Sequence, residues 1–128
     1  MHRKGRIVQR LAASMLVVGG LAACGESTQA PDPADSGVAE QGAALYQANC
    51  AQCHGADLRG TDQGPPHLDV IYEPGHHGDA AFVLAVRRGV QPHHWDYGAM
   101  PAIEGLSDQD IADIIAYVRE QQRRVGIE

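Results

Sequence analysis

Cys50-Ala51-Gln52-Cys53-His54 is the stretch of this chain whose residue types and spacing specify the most chemistry. Two thiols three positions apart lie on one side of a helical turn, with an imidazole next in line. A C-x-x-C-H string can attach haem c, the two sulfurs bonding the former vinyl groups and the histidine ligating the iron from one face. Two other uses of paired thiols fit less well. A structural zinc site takes about four ligands, and no second cysteine pair is present, so histidines would have to complete it. A thioredoxin-like redox pair needs a strand–helix–strand setting, and the sequence suggests none.

Few elements are needed to position that motif. A helix is expected from Val38 to Cys50, with Ser36 as its N-cap and Ala39, Gly42, Ala43, Tyr46 and Cys50 at helical spacing. Residues 55–78 are rich in glycine and proline and read as an extended loop, Gly55 leaving room for backbone beside the motif. A second helix is expected over Asp79 to Arg88, with Phe82, Val83 and Val86 on its apolar face and Gly89 as its stop. After a loop from Val90 to Gly105, the last helix carries the clearest signals. Ser107 and Asp110 form a capping-box pattern, and Ile111, Ile114, Ile115 and Val118 make a core-facing stripe. Arg119, Arg123 and Arg124 suit the negative end of that helix. No segment reads as a strand. The expected fold is all-α, three to four short helices with long loops, and so thin a core needs added apolar volume such as a buried haem.

Across residues 38–120 these features resemble the class I cytochromes c. In that family the haem motif ends a first helix bearing a small residue and, one turn on, an aromatic, which Gly42 and Tyr46 match. The resemblance implies a last helix crossing the first near the glycine, with Tyr117 as its aromatic. It also implies a proline carbonyl accepting a hydrogen bond from the proximal histidine. Gly64-Pro65-Pro66-His67-Leu68 is one residue longer than the family's Gly-Pro-x-Leu, so Pro65 and Pro66 both qualify. The family's distal ligand, a methionine before proline ahead of the last helix, falls on Met100-Pro101. A thioether there favours ferrous iron and closes its sixth position. The implied cofactor is one covalently bound haem c on Cys50 and Cys53, with His54 and Met100 as axial ligands.

The ends of the chain carry separate signals. His2, Arg3, Lys4, Arg6 and Arg10 precede an apolar run, Leu11 to Ala23, that is short for spanning a bilayer. Leu21-Ala22-Ala23-Cys24 resembles a bacterial lipobox, implying cleavage of residues 1–23 and a lipid on Cys24. Residues 24–36 then form an acidic, proline-containing flexible linker, and residues 37–128 the haem domain. Loss of residues 1–23 leaves six basic side chains against sixteen acids, a net charge of −10. Such a surface is unsuited to nucleic acid and suits a redox partner with a basic docking patch.

The expected function is one-electron transfer on the outer face of a bacterial membrane. It is not an enzyme on this reading, because an iron with both axial positions filled binds no substrate. A haem-bearing subunit of a dehydrogenase or oxidase complex is the alternative, and a histidine-based metal-binding module a weaker one. His76-His77 and His93-His94 raise the latter, as replacement distal ligands or as a copper or zinc site, although loop histidines are more often simply solvated. Trp95 and Tyr97 are expected near the haem, and Arg59, Arg87 and Arg88 near its propionates.

Overall fold

The computed structural model describes residues 33–128, with side chains from residue 37 onward. The expected signal segment, Cys24 and the linker up to residue 32 lie outside the described residues. Four helices follow in order: α1 Pro33–Asn49, α2 Ala51–His54, α3 Asp79–Arg88 and α4 Asp108–Arg124. A single 3-10 turn, Val70–Tyr72, interrupts the long loop between α2 and α3. Among the described residues there is no strand, only one antiparallel bridge between Val90 and Met100. The fold is the all-α one expected.

α1 begins at Pro33, earlier than expected, so the last four residues of the supposed linker are helical and Ser36 is not its N-cap. The physical reason lies in Pro33 itself. A proline in the first turn needs no N–H partner and has its φ already set, so it starts a helix where composition alone suggests a break. α3 has the expected bounds, and its Val86 is buried while Val83 is left exposed.

α4 is capped as its sequence demands. Ser107 Oγ accepts from Asp110 N at 3.1 Å and the Asp110 carboxylate accepts from Ser107 N at 2.8 Å. Its stripe of Ile111, Ile114, Ile115 and Val118 is buried throughout and forms the centre of the core with Tyr46 and Leu106.

α1 packs on α4 with almost no clearance at Gly42. A Cβ on that glycine would sit 2.0 Å from the Asp113 carbonyl oxygen and 3.0 Å from Tyr117 Cβ. One turn further on, Tyr46 and Tyr117 meet at 5.5 Å between ring centroids. Gly42 is therefore the crossing point, as its position in the first helix implied. Replacing it with alanine must push the two helices apart. Gly42→Ala is expected to cost about 2–3 kcal/mol and to lower Tm by roughly 10 °C, measured by thermal unfolding.

Candidate functional site

The thiol–imidazole motif occupies the junction of α1 and α2. Cys50 lies between α1 and α2 as the N-cap of the latter, and its carbonyl accepts from Cys53 N and His54 N at 3.2 and 2.9 Å, so the chain turns tightly through the motif. Gly55 follows at φ 82, and a Cβ there would meet the Gly60 carbonyl at 2.9 Å, so only glycine fits. Tyr46 braces the same turn, its hydroxyl donating to the Gly55 carbonyl at 3.2 Å.

His54 is held in one tautomer. Its Nδ1 lies 2.9 Å from the Pro65 carbonyl, which can only accept, so the proton is on Nδ1 and the lone pair on Nε2. This assigns to Pro65 the role that spacing left open between Pro65 and Pro66. Burial holds the His54 imidazole below its ordinary pKa, opposed by the bond to Pro65. A neutral imidazole with Nε2 free is the form that ligates a metal. Burial, and then the neighbouring Cys53, pushes the Cys50 thiol up to about 11, so it is no thiolate nucleophile at neutral pH.

Cys50, Cys53, His54 and Met100 all line one cavity of about 540 Å³, within the usual range for small-molecule sites. Its walls come from α2, α3, the buried face of α4 and the loops on either side of α3, with Phe82, Ile103 and Val118 among the apolar contributors. Leu84 and Tyr97 also line it yet remain exposed, 49% and 38%, so part of its apolar rim stands open. Met100 is pinned by its backbone. Its N–H and carbonyl both bond Val90, each at 2.9 Å, which ties the methionine loop to the end of α3. A larger, shallower groove along α1 and α4, including Ala39, Ala43 and Ile115, contains none of the motif residues.

The other expected neighbours divide. Trp95, Tyr97 and Arg88 line the cavity. Arg87 instead bonds the Leu106 carbonyl at 2.7 Å and Asp108 at 2.6 Å, which commits it to the start of α4. Arg59 lies 3.9 Å from Asp57, away from the cavity. His67 is buried against His54, ring centroids 4.1 Å apart, and its Nδ1 has no partner. Burial, reinforced by His54 and Arg119, holds it neutral, well below the ordinary histidine range.

Two residues of α4 that sequence reasoning did not single out for this role hold the loop walls. Arg119 was expected at the helix end as a favourable charge. It is buried, and donates to the carbonyls of Tyr72 at 2.7 Å and His77 at 2.5 Å and to Asp79 at 2.9 Å. Gln122, fully buried, donates to the His67 carbonyl at 2.8 Å. Both follow the stripe of α4 by one helical turn, and a polar residue in register with an apolar stripe is the signal that was available.

An all-α fold in which a C-x-x-C-H turn and a methionine loop wall one apolar cavity defines a c-type cytochrome. Residues 39–122 match the family model for cytochrome c, and the chain belongs to that family. Its cofactor is one covalently bound haem c, and the paired thiols, oriented neutral imidazole and thioether that line the cavity fit such a group. The chain is 36% identical over 89 residues to the cbb3-type cytochrome c oxidase subunit FixPc of Rhizobium leguminosarum bv. viciae, covering 67% of this chain and 29% of that one. It is 29% identical to cytochrome c6 of Synechocystis, covering 86% of this chain and 82% of that protein. A cytochrome bc1 complex cytochrome c subunit of Mycobacterium bovis is 31% identical, covering 85% of this chain and 38% of the subunit. The chain thus spans under a third of the oxidase subunits it matches.

Removing the Arg119 guanidinium takes a donor from the Tyr72 and His77 carbonyls and from the buried Gln122 Oε1. Arg119→Ala is expected to lower unfolding free energy by about 3 kcal/mol in guanidinium titrations, whereas exposed Arg123→Ala stays within about 0.5 kcal/mol of the parent.

Proposed function

We propose that this protein is a one-electron carrier on the extracytoplasmic side of a bacterial membrane, its haem bonded through Cys50 and Cys53 and held axially by His54 and Met100. The observation that carries this reading is the placement of all four side chains on one apolar cavity. When bound, the haem supplies a ferrous–ferric couple. The chain's own residues do the rest. Pro65 keeps the His54 imidazole in the ligating tautomer, the Val90–Met100 bridge fixes the thioether loop, and Phe82, Ile103 and Val118 exclude water. Ligands fixed this way move little between oxidation states, which suits electron transfer rather than substrate turnover.

A second reading rests on the relatives. The similarity to oxidase and bc1-complex subunits supports a haem domain that works docked to a larger redox complex. On either reading the acidic surface suits a basic docking patch on the partner. The lipobox-like Leu21-Ala22-Ala23-Cys24 supports a tethered form, with residues 1–23 removed, Cys24 lipidated and the segment after it linking the anchor to the haem domain. No helix among the described residues is long and apolar enough to cross a membrane.

Met100→Ala tests the ligand set. The oxidised parent should show the weak long-wavelength sulfur-to-iron band, and the variant should lose it while retaining haem through acid–organic extraction. Its midpoint potential should fall by a sizeable part of the roughly 0.8 V that axial ligation spans. A parent without that band overturns Met100 as ligand, and extractable haem overturns attachment at Cys50 and Cys53. The tether is tested by Cys24→Ser, expected to move the haem protein from the membrane to the soluble fraction of the exporting cell, and equal membrane retention refutes a lipid on Cys24.

A further inference from the structure

Four imidazoles that electron transfer does not use converge at the rim of the cavity. His76 and His77 lie just before α3, and His93 and His94 in the loop after it, yet the folded chain brings them tip to tip. His76 Nε2 and His94 Nε2 are 3.3 Å apart, and His77 Nε2 and His93 Nε2 are 3.4 Å apart.

The hydrogen bonds behind two of these rings decide what their tips present. His77 Nδ1 lies 2.6 Å from the Ile71 carbonyl, and His93 Nδ1 lies 3.0 Å from the Gln91 carbonyl. A carbonyl oxygen only accepts, so in the neutral rings both Nδ1 atoms carry the proton and both Nε2 atoms present a lone pair. Two lone pairs facing one another at 3.4 Å repel. An electrophile shared between them turns that repulsion into attraction.

The spacing also matches a particular electrophile. An ion with tetrahedral metal–nitrogen bonds of about 2.0–2.1 Å has ligand nitrogens roughly 3.3–3.4 Å apart. Ligating atoms of His76, His77 and His94 all lie within 4.8 Å of one another, and His93 adjoins them through His77. A set made only of imidazoles selects zinc- or copper-like cations over magnesium or calcium, which take oxygen. The outer bonds to Ile71 and Gln91 are the kind that orient metal-binding histidines. Arg119 braces the site from behind through the His77 carbonyl.

We propose that His76, His77, His93 and His94 form a second metal site, distinct from the haem iron, that binds one divalent cation of the zinc and copper class. Three of the four rings also line the cavity wall, so the ion sits beside the haem compartment rather than at a remote surface.

Calorimetric titration of the chelator-stripped, haem-loaded protein with Zn²⁺, and separately with Cu²⁺, tests this. A single equivalent should saturate the protein, with the tighter of the two ions identifying the preferred metal. The double variant His76→Ala/His94→Ala removes two solvent-facing rings and should weaken binding by more than about tenfold, and His93→Ala should weaken it separately. X-ray absorption of the loaded site should give nitrogen-only ligation by imidazole. Non-saturating or multi-equivalent uptake, or unchanged affinity in both variants, overturns the site. So does a change of the haem axial bands in metal-free variants, which would make these histidines iron ligands. Haem content measured on the same samples separates failure of this site from failure of the electron-carrier reading.

Discussion

The crossing of α1 over α4 at Gly42 is the constraint on which the rest of the molecule depends. Backbone meets backbone there, with no room for a methyl group between Gly42 and the Asp113 carbonyl. That close approach fixes the direction in which α1 leaves the crossing and hence where its last residues deliver the two thiols. It also seats Tyr46 against α4, and the Tyr46 hydroxyl in turn holds the Gly55 carbonyl at the end of the motif. One missing side chain thus sets the position of a reactive turn more than two helical turns away.

The second constraint is the accounting of backbone hydrogen bonds in a chain with so much loop. Buried carbonyls without partners are costly, and long loops cannot satisfy their own. α4 meets this need with polar side chains placed just beyond its apolar stripe. Gln122 takes the His67 carbonyl, and Arg119 takes those of Tyr72 and His77. The guanidinium also lies over Phe82, 4.9 Å from the ring centroid, so the same side chain packs as well as bonds. The loop that lines the cavity is therefore an outer layer of α4, and its shape follows from where that helix presents its donors.

How much of this was legible in the sequence depends on the range of the interaction concerned. The bounds of α3, the capping box of α4 and its buried stripe are local patterns and were read correctly, whereas Val83, expected on the apolar face of α3, is exposed. The motif turn was legible because its residue types permit so few alternatives, and the Gly42 crossing because the resemblance to the cytochromes c implied it. The start of α1 was misplaced, since Pro33 reads as a breaker until one knows that it opens a helix. Arg119 was read as a terminal charge because nothing in its neighbours reveals that two loop carbonyls return to meet it. Pro65 and Pro66 were indistinguishable by spacing, and only the ring of His54 separates them. The two histidine pairs were conspicuous by type, but their convergence is a property of the folded loops.

These long-range features also bear on how one small fold recurs among its relatives, both as nearly the whole of a short cytochrome and as part of larger complex subunits. Among the described residues, the contacts that orient the thiols, the imidazole and the thioether run between Gly42 and Gln122, inside the stretch that matches the family. Cytochrome c6 of Synechocystis is matched over most of its length, whereas FixPc is matched over 29% of it. A domain that carries this much of its own bracing suits transfer between such settings. The rim is where such settings have room to differ, since Leu84 and Tyr97 line the cavity yet stand exposed and supply none of the hydrogen bonds that hold the motif, Met100 and the loop walls.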